Sequence, residues 1–225
     1  MGLVYKIIPA NVDEKRLPAE TPQDYVVRLA QDKAQATALG VTNYKRRHSN
    51  NLTIMMDDRI LLEKDQPDNL PDVIVAADTT VVDGQEILGK PANTDEALQM
   101  LQSLRGRVHQ VFTGLAVLCL IDGELLTDWC VTDVWMREYQ AAEMRVYVDS
   151  GDPLDKAGAY AIQHNGFKPV EKWQGCYANV MGLPVCTLSR LLEKAGVHLP
   201  MDTMQTCQAS LLKKKIVCAF APPEY

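Results

Sequence analysis

Two kinds of apolar spacing alternate along the chain. Short runs of Val, Ile and Leu have the spacing of strands, and longer stretches repeat at three and four residues as helices do. Residues 3–8, LVYKII, read as a short strand closed by Pro9. The stretch 9–22 holds Pro9, Pro18, Pro22 and several charges and reads as a loop. Thr21-Pro22 has the form of an N-cap followed by Pro at the first helical position, which predicts a helix over 22–39. Its apolar positions are Tyr25, Val26, Leu29, Ala30, Ala34 and Leu39, and Gly40 is expected to stop it. Residues 41–71 lose the pattern. They are expected to form a long inserted loop, with a short hairpin of LTIMM and RILLE around Asp57-Asp58. Loops of that length are usually functional or mobile.

VIVAA (73–77) is a continuous apolar run, the mark of a strand buried on both faces, and is expected to end at Asp78. TTVV resumes the extended pattern, Asp83-Gly84 is a turn pair, and EIL returns before Gly89-Lys90-Pro91. A helix follows over 94–104 with Thr94 as its cap, then strands over 108–120 and 124–136 joined at Asp122-Gly123. A helix is expected near 140–150, a helical turn at 156–160, a strand at 168–174 and an amphipathic helix from about Pro184. Strands alternating with helices and closing on a hairpin region indicate an α/β fold with a mixed sheet. At 225 residues the chain suits one domain over 1–198, with 199–225 as an appendage.

Charge narrows the function. Lys plus Arg is 23 and Asp plus Glu is 29, a formal net charge of −6. An acidic chain grips nucleic acid or anionic membrane poorly, and the basic run Lys45-Arg46-Arg47-His48 reads as a solvated loop before a nucleic-acid patch. The longest apolar-rich stretch, 111–121, is too short to span a bilayer, and no signal peptide is apparent at the start. The six cysteines form no C-x-x-C pair, so a zinc site is not expected and reduced thiols in a cytoplasmic protein are.

Four features then carry chemistry: the acidic Asn11-Val12-Asp13-Glu14, Asp78 with Thr79 and Thr80, Lys90 twelve residues later, and the segment DKAGAYAIQ (155–163). Singly, most have plain structural readings; Glu14 and Lys90 suit solvated turns and Asp155 suits a helix cap. Asp78 is harder to dismiss, since a carboxylate leaving five apolar residues stands where α/β strands present ligands. Carboxylates without a His or Cys set favour a hard cation such as Mg²⁺, with phosphate oxygens completing its shell. Nearby lysines neutralise phosphate charge, and the whole suits metal-assisted attack of water on a phosphoryl group. No P-loop and no G-x-G-x-x-G occurs. An aspartyl-nucleophile phosphatase would want a second Asp two residues after the first, where Thr80 stands.

VIVAADTTVVDGQEILGKP, then Arg105-Gly106-Arg107-Val108-His109 and Phe112-Thr113-Gly114, resembles the Maf family of nucleoside triphosphate pyrophosphatases. So do IIPANVDE and RLAQDKA upstream, and GDPLDKAGAYAIQ and GCYANVMGLPV downstream, in order from residue 3 to about 196. The resemblance implies a two-lobed α/β structure around a cleft, akin to inosine triphosphatases and often a homodimer. It implies cleavage of a nucleoside triphosphate between the α- and β-phosphates with a divalent metal, Mg²⁺ or Mn²⁺. By motif, Asp78 resembles the proton acceptor, with Glu14 and Asp78 on the metal side and Lys33 and Lys90 at the phosphates. Thr79 and Gln163 match positions of base choice, and the form DKAGAYAIQ resembles the branch acting on dTTP and UTP, which keeps non-standard nucleotides out of the pool. A Gln amide offers a donor and an acceptor suited to a pyrimidine edge.

The family's opening Ser-x-Ser-Pro-Arg-Arg segment is absent from this sequence. The expectation is that the chain starts downstream of the usual start. An alternative function follows from it: a truncated, catalytically impaired nucleotide-binding protein of the same fold.

Overall fold

A computed structural model describes residues 7–47, 60–61, 73–199 and 202–213. The helices are α1 (Pro22–Arg47), α2 (Thr94–Leu104), α3 (Ala141–Asp149), α4 (Tyr177–Val180), α5 (Val185–Lys194) and α6 (Thr203–Lys213). The strands are β1 (Ile60–Leu61), β2 (Val73–Asp83), β3 (Glu86–Leu88), β4 (Val108–Cys119), β5 (Leu125–Met136) and β6 (Val170–Gln174). They form an open sheet in the order β1-β2-β4-β5-β6, with β3 paired to β2 off that path. β1, β3 and β6 pair antiparallel, β1 and β3 with β2 and β6 with β5. The fold is α/β with helices flanking the sheet.

The chain divides into two compact units. Among the described residues, unit 1 holds those within 7–78, 114–129 and 185–213, and unit 2 holds 79–113 and 130–184. β2 passes from one to the other between Asp78 and Thr79, β4 between Thr113 and Gly114, and β5 between Trp129 and Cys130.

In unit 1, α1 lies on the sheet through small side chains. Ala30 and Ala34 pack with Ile74 and Ala76 of β2 and with Ala116 and Leu118 of β4. Gly114 lets the helix come closer still: a Cβ there would meet the Val26 carbonyl and stand 2.6 Å from Val27 N. In unit 2, Leu101 and Leu104 of α2 pack with Val81, Val111, Val134 and Tyr139, whose hydroxyl donates to the Leu101 carbonyl at 2.6 Å.

Several elements differ from expectation in their ends. α1 does not stop at Gly40 but runs to Arg47. Gly40 lacks the left-handed φ that ends a helix, and a glycine inside an exposed helix costs only about 1 kcal/mol. β2 does not end at Asp78; it is one strand of 11 residues that carries the carboxylate in its middle. The cap of α2 is Asn93, whose side chain accepts from Glu96 N, and Thr94 is already helical. Ile8 makes only an isolated bridge, and the rest of the strand expected over 3–8 lies outside the described residues. So does most of the 52–63 hairpin; Ile60 and Leu61 pair with Val75 and Ile74. Among the described residues no helix is long and apolar enough to cross a membrane.

One substitution at two glycines separates contact from propensity. Gly114→Ala should destabilise the protein by about 3 kcal/mol, because backbone rather than a flexible side chain must give way. Gly40→Ala, with nothing within 4 Å of its new Cβ, should stabilise by about 0.5–1 kcal/mol. Urea unfolding of the two variants reads the difference; equal shifts would contradict the close packing of α1.

Candidate active site

Strand parity and helix periodicity together build the centre of unit 1. Ile74, Ala76 and Asp78 alternate onto one face of β2. Ala30, Lys33, Ala34 and Thr37 share one stripe of α1. Since Ala30 and Ala34 pack on Ile74 and Ala76, Lys33 is carried to Asp78. Lys33 is 7% exposed and Asp78 8%. Lys33 Nζ donates to Asp78 Oδ1 at 2.6 Å and stands 3.0 Å from Glu14 Oε1.

Glu14 reaches this point from a fastened loop. Thr21 caps α1 by accepting from Asp24 N at 3.1 Å, and Tyr25 one residue later donates its hydroxyl to the Glu14 carbonyl at 2.9 Å. Arg28 grips Glu20 through Nε at 2.6 Å and Nη2 at 3.0 Å, and also donates to the Lys15 carbonyl. Arg16 adds two bonds to the Glu20 carbonyl. The Glu14 side chain is 58% exposed, so the cluster keeps one wet carboxylate and one buried one.

Burial by itself would push the Lys33 ammonium toward losing its proton. Asp78 first, then Glu14, outweigh that, and its pKa is raised above the ordinary lysine value. Among the described residues, one ammonium against two carboxylates leaves a formal charge of +1 − 2 = −1. The cluster's possible metal ligands are carboxylate oxygens, a donor type that suits a hard divalent cation better than zinc. Among the described residues no three His, Cys, Asp or Glu converge. A cation here would therefore complete its shell with phosphate or water oxygens.

The other expected residues belong to unit 2. Thr79 is half-buried; its Oγ1 is 2.9 Å from Thr113 Oγ1 and 3.4 Å from the Gly182 carbonyl. Thr113 in turn donates to the Asn179 carbonyl at 3.3 Å, and buried Asn179 bonds the Val111 carbonyl and Thr132. Lys90, after β3, and Gln163 are both exposed. Unit 1 thus brings Glu14, Lys33 and Asp78 together, and unit 2 carries Thr79, Lys90 and Gln163. The sequence pattern places Tyr25 on the apolar face of the helix but gives no sign of its bond to Glu14 or of the Arg28–Glu20 pair, which depend on a loop folding back over its helix. It also assigned no role to Thr113 and Asn179, which stand inside FTG and CYANV.

The chain is similar to known proteins over most of its length. A family model described as Maf-like protein matches residues 1–195. A dTTP/UTP pyrophosphatase of Dehalococcoides mccartyi is 49% identical over 124 residues, 55% of this chain and 55% of that protein. One of Anaeromyxobacter dehalogenans is 38% identical over 204 residues, 90% of this chain and 89% of that protein. One of Syntrophomonas wolfei is 35% identical over 199 residues, 88% of this chain and 90% of that protein.

The charge cluster has a measurable signature. Lys33→Met takes from buried Asp78 the ammonium that stands at 2.6 Å and should lower the unfolding free energy at pH 8 by about 3 kcal/mol. A raised folded-state pKa means the stabilisation is complete below the ordinary lysine value and is lost only as pH rises through the higher, folded one. The gap between parent and variant should therefore stay constant from about pH 7 to 10 and narrow only above that. A gap that closes between about pH 7 and 9 would contradict the pairing.

Proposed function

We infer the activity from the family: this chain belongs to the Maf family, and it is a nucleoside triphosphate pyrophosphatase that hydrolyses dTTP and UTP to the monophosphate and pyrophosphate. The observation that carries the chemistry is the buried Lys33 ammonium holding Asp78 and Glu14 within 2.6 and 3.0 Å.

In this reading Asp78 is the proton acceptor. The ammonium beside it favours the ionised carboxylate and fixes its direction, so the base is present in the right state when substrate arrives. A water oxygen forms a bond to the α-phosphorus, its proton passes to Asp78, and the bond from the α-phosphorus to the α,β-bridging oxygen breaks. Pyrophosphate leaves with that bonding pair. Glu14 and Asp78 would hold a divalent cation, which when bound neutralises phosphate charge and lowers the pKa of water. Lys90 is proposed to contact the phosphates and Thr79 and Gln163 to select the base, Gln163 through an exposed amide that both donates and accepts. The same proposal includes a cytoplasmic homodimer that clears non-standard nucleotides from the pool. A binding protein without turnover is not favoured: the relatives matched over nine-tenths of the chain bear the name of the enzyme.

Hydrolysis of UTP in ¹⁸O-labelled water with Mg²⁺ tests the reaction. The expected products are UMP carrying the label and unlabelled pyrophosphate. Label in pyrophosphate, or release of inorganic phosphate instead, would place the attack on another phosphorus and overturn the assignment.

A further inference from the structure

The segment 155–163 of unit 2 is strained and tied at three places. Gly158 and Ala159 are both left-handed, with φ of 66° and 58°. For alanine that backbone costs about 1–3 kcal/mol and persists only where the surroundings impose it. Ala159 is fully buried, and a Cβ at Gly158 would stand 2.9 Å from a Val81 methyl. Gly158 N–H donates to the Gly89 carbonyl at 3.0 Å. The Tyr160 hydroxyl lies 2.7 Å from His109 Nε2, and the Tyr147 hydroxyl accepts from Ala161 N at 3.1 Å.

The bonds of Tyr160 and Ala161 are buried. His109 is 2% exposed, and its Nδ1 has no partner among the described residues. Burial first, then the Arg107 charge, hold the imidazole neutral, with a pKa of about 4. An orphaned ring nitrogen in a buried site costs about 1–3 kcal/mol, so the bond to Tyr160 is retained at some expense to stability. Its neighbours explain what it could serve. Gly89 immediately precedes Lys90, and Ala161 stands two residues before Gln163. Strain of this kind gathers where a ligand must be met by a fixed backbone.

We propose that His109 and Tyr147, acting through Tyr160 and Ala161, are positioning residues that hold Gln163 and Lys90 in the orientation that receives the nucleotide. This rests on the pyrophosphatase reading above. Neither residue contacts substrate; they set where two exposed side chains begin. The consequence falls on nucleotide affinity and on discrimination between pyrimidines, while proton transfer at Asp78 is unaffected.

Tyr160→Phe removes one hydroxyl and keeps the ring. With UTP and Mg²⁺, KM should rise about tenfold and kcat stay within about threefold, as for one lost hydrogen bond that acts on binding. The ratio of kcat/KM for UTP over CTP should fall by about fivefold or more, and amide exchange over 158–163 should quicken about tenfold while α2 is unchanged. Unchanged KM and an unchanged UTP:CTP ratio, with or without a lower melting temperature, would reduce the clamp to a structural part and overturn the proposal. Should Tyr160→Phe fail to fold, Tyr147→Phe releases Ala161 N and is read the same way. A parent protein that releases no pyrophosphate from UTP would refute the activity reading instead. The clamp would then be judged by exchange alone, and unquickened exchange over 158–163 would overturn it.

Discussion

An ammonium removed from water must either find counter-charges or give up its proton, and Lys33 finds two carboxylates. Much of unit 1 follows from that requirement. The helix must approach the sheet closely enough for a lysine to reach the strand, which is why Ala30, Ala34, Ala76 and Ala116 fill the space and Gly114 faces the backbone of Val26. The loop before the helix must return over it, and Arg28, Glu20 and Tyr25 bring it back. A buried pair of this kind is poor value for stability compared with apolar packing. In the proposed reaction its work is to hold the Asp78 carboxylate in one direction.

Unit 2 answers a different demand. Lys90 and Gln163, proposed to meet the nucleotide there, are exposed, and exposed side chains have freedom that recognition must remove. The Thr79 hydroxyl is held against Thr113 and the Gly182 carbonyl, while the left-handed turn at Gly158 and Ala159 ties the backbone leading to Gln163 to Gly89, His109 and Tyr147. Charge chemistry in one unit and backbone rigidity in the other are two means of preorganisation.

Much of this was legible in the sequence. Asp83-Gly84 and Asp122-Gly123 turn where expected, and the period of 94–104 gave α2 within its bounds. Lys33 could have been singled out by spacing alone, since it lies on the stripe of Leu29, Ala30 and Ala34, where a solvated lysine does not belong. The misread ends have local causes. An exposed glycine did not stop α1, because stopping needs a left-handed residue and not merely a flexible one. Asp78 did not end β2, because a partner on α1 made a charge tolerable inside a strand. The bonds from Arg28 to Glu20 and from His109 to Tyr160 span 8 and 51 residues and leave no periodic trace.

Asp78, at the head of this charge cluster, is the proposed base on which the reaction depends. Turnover of UTP by Asp78→Asn, with folding checked by circular dichroism and nucleotide binding by calorimetry, tests it most directly. The expected variant is a folded protein that still binds UTP and releases pyrophosphate about a hundredfold or more slowly than the parent. A folded Asp78→Asn variant with turnover near that of the parent would contradict it.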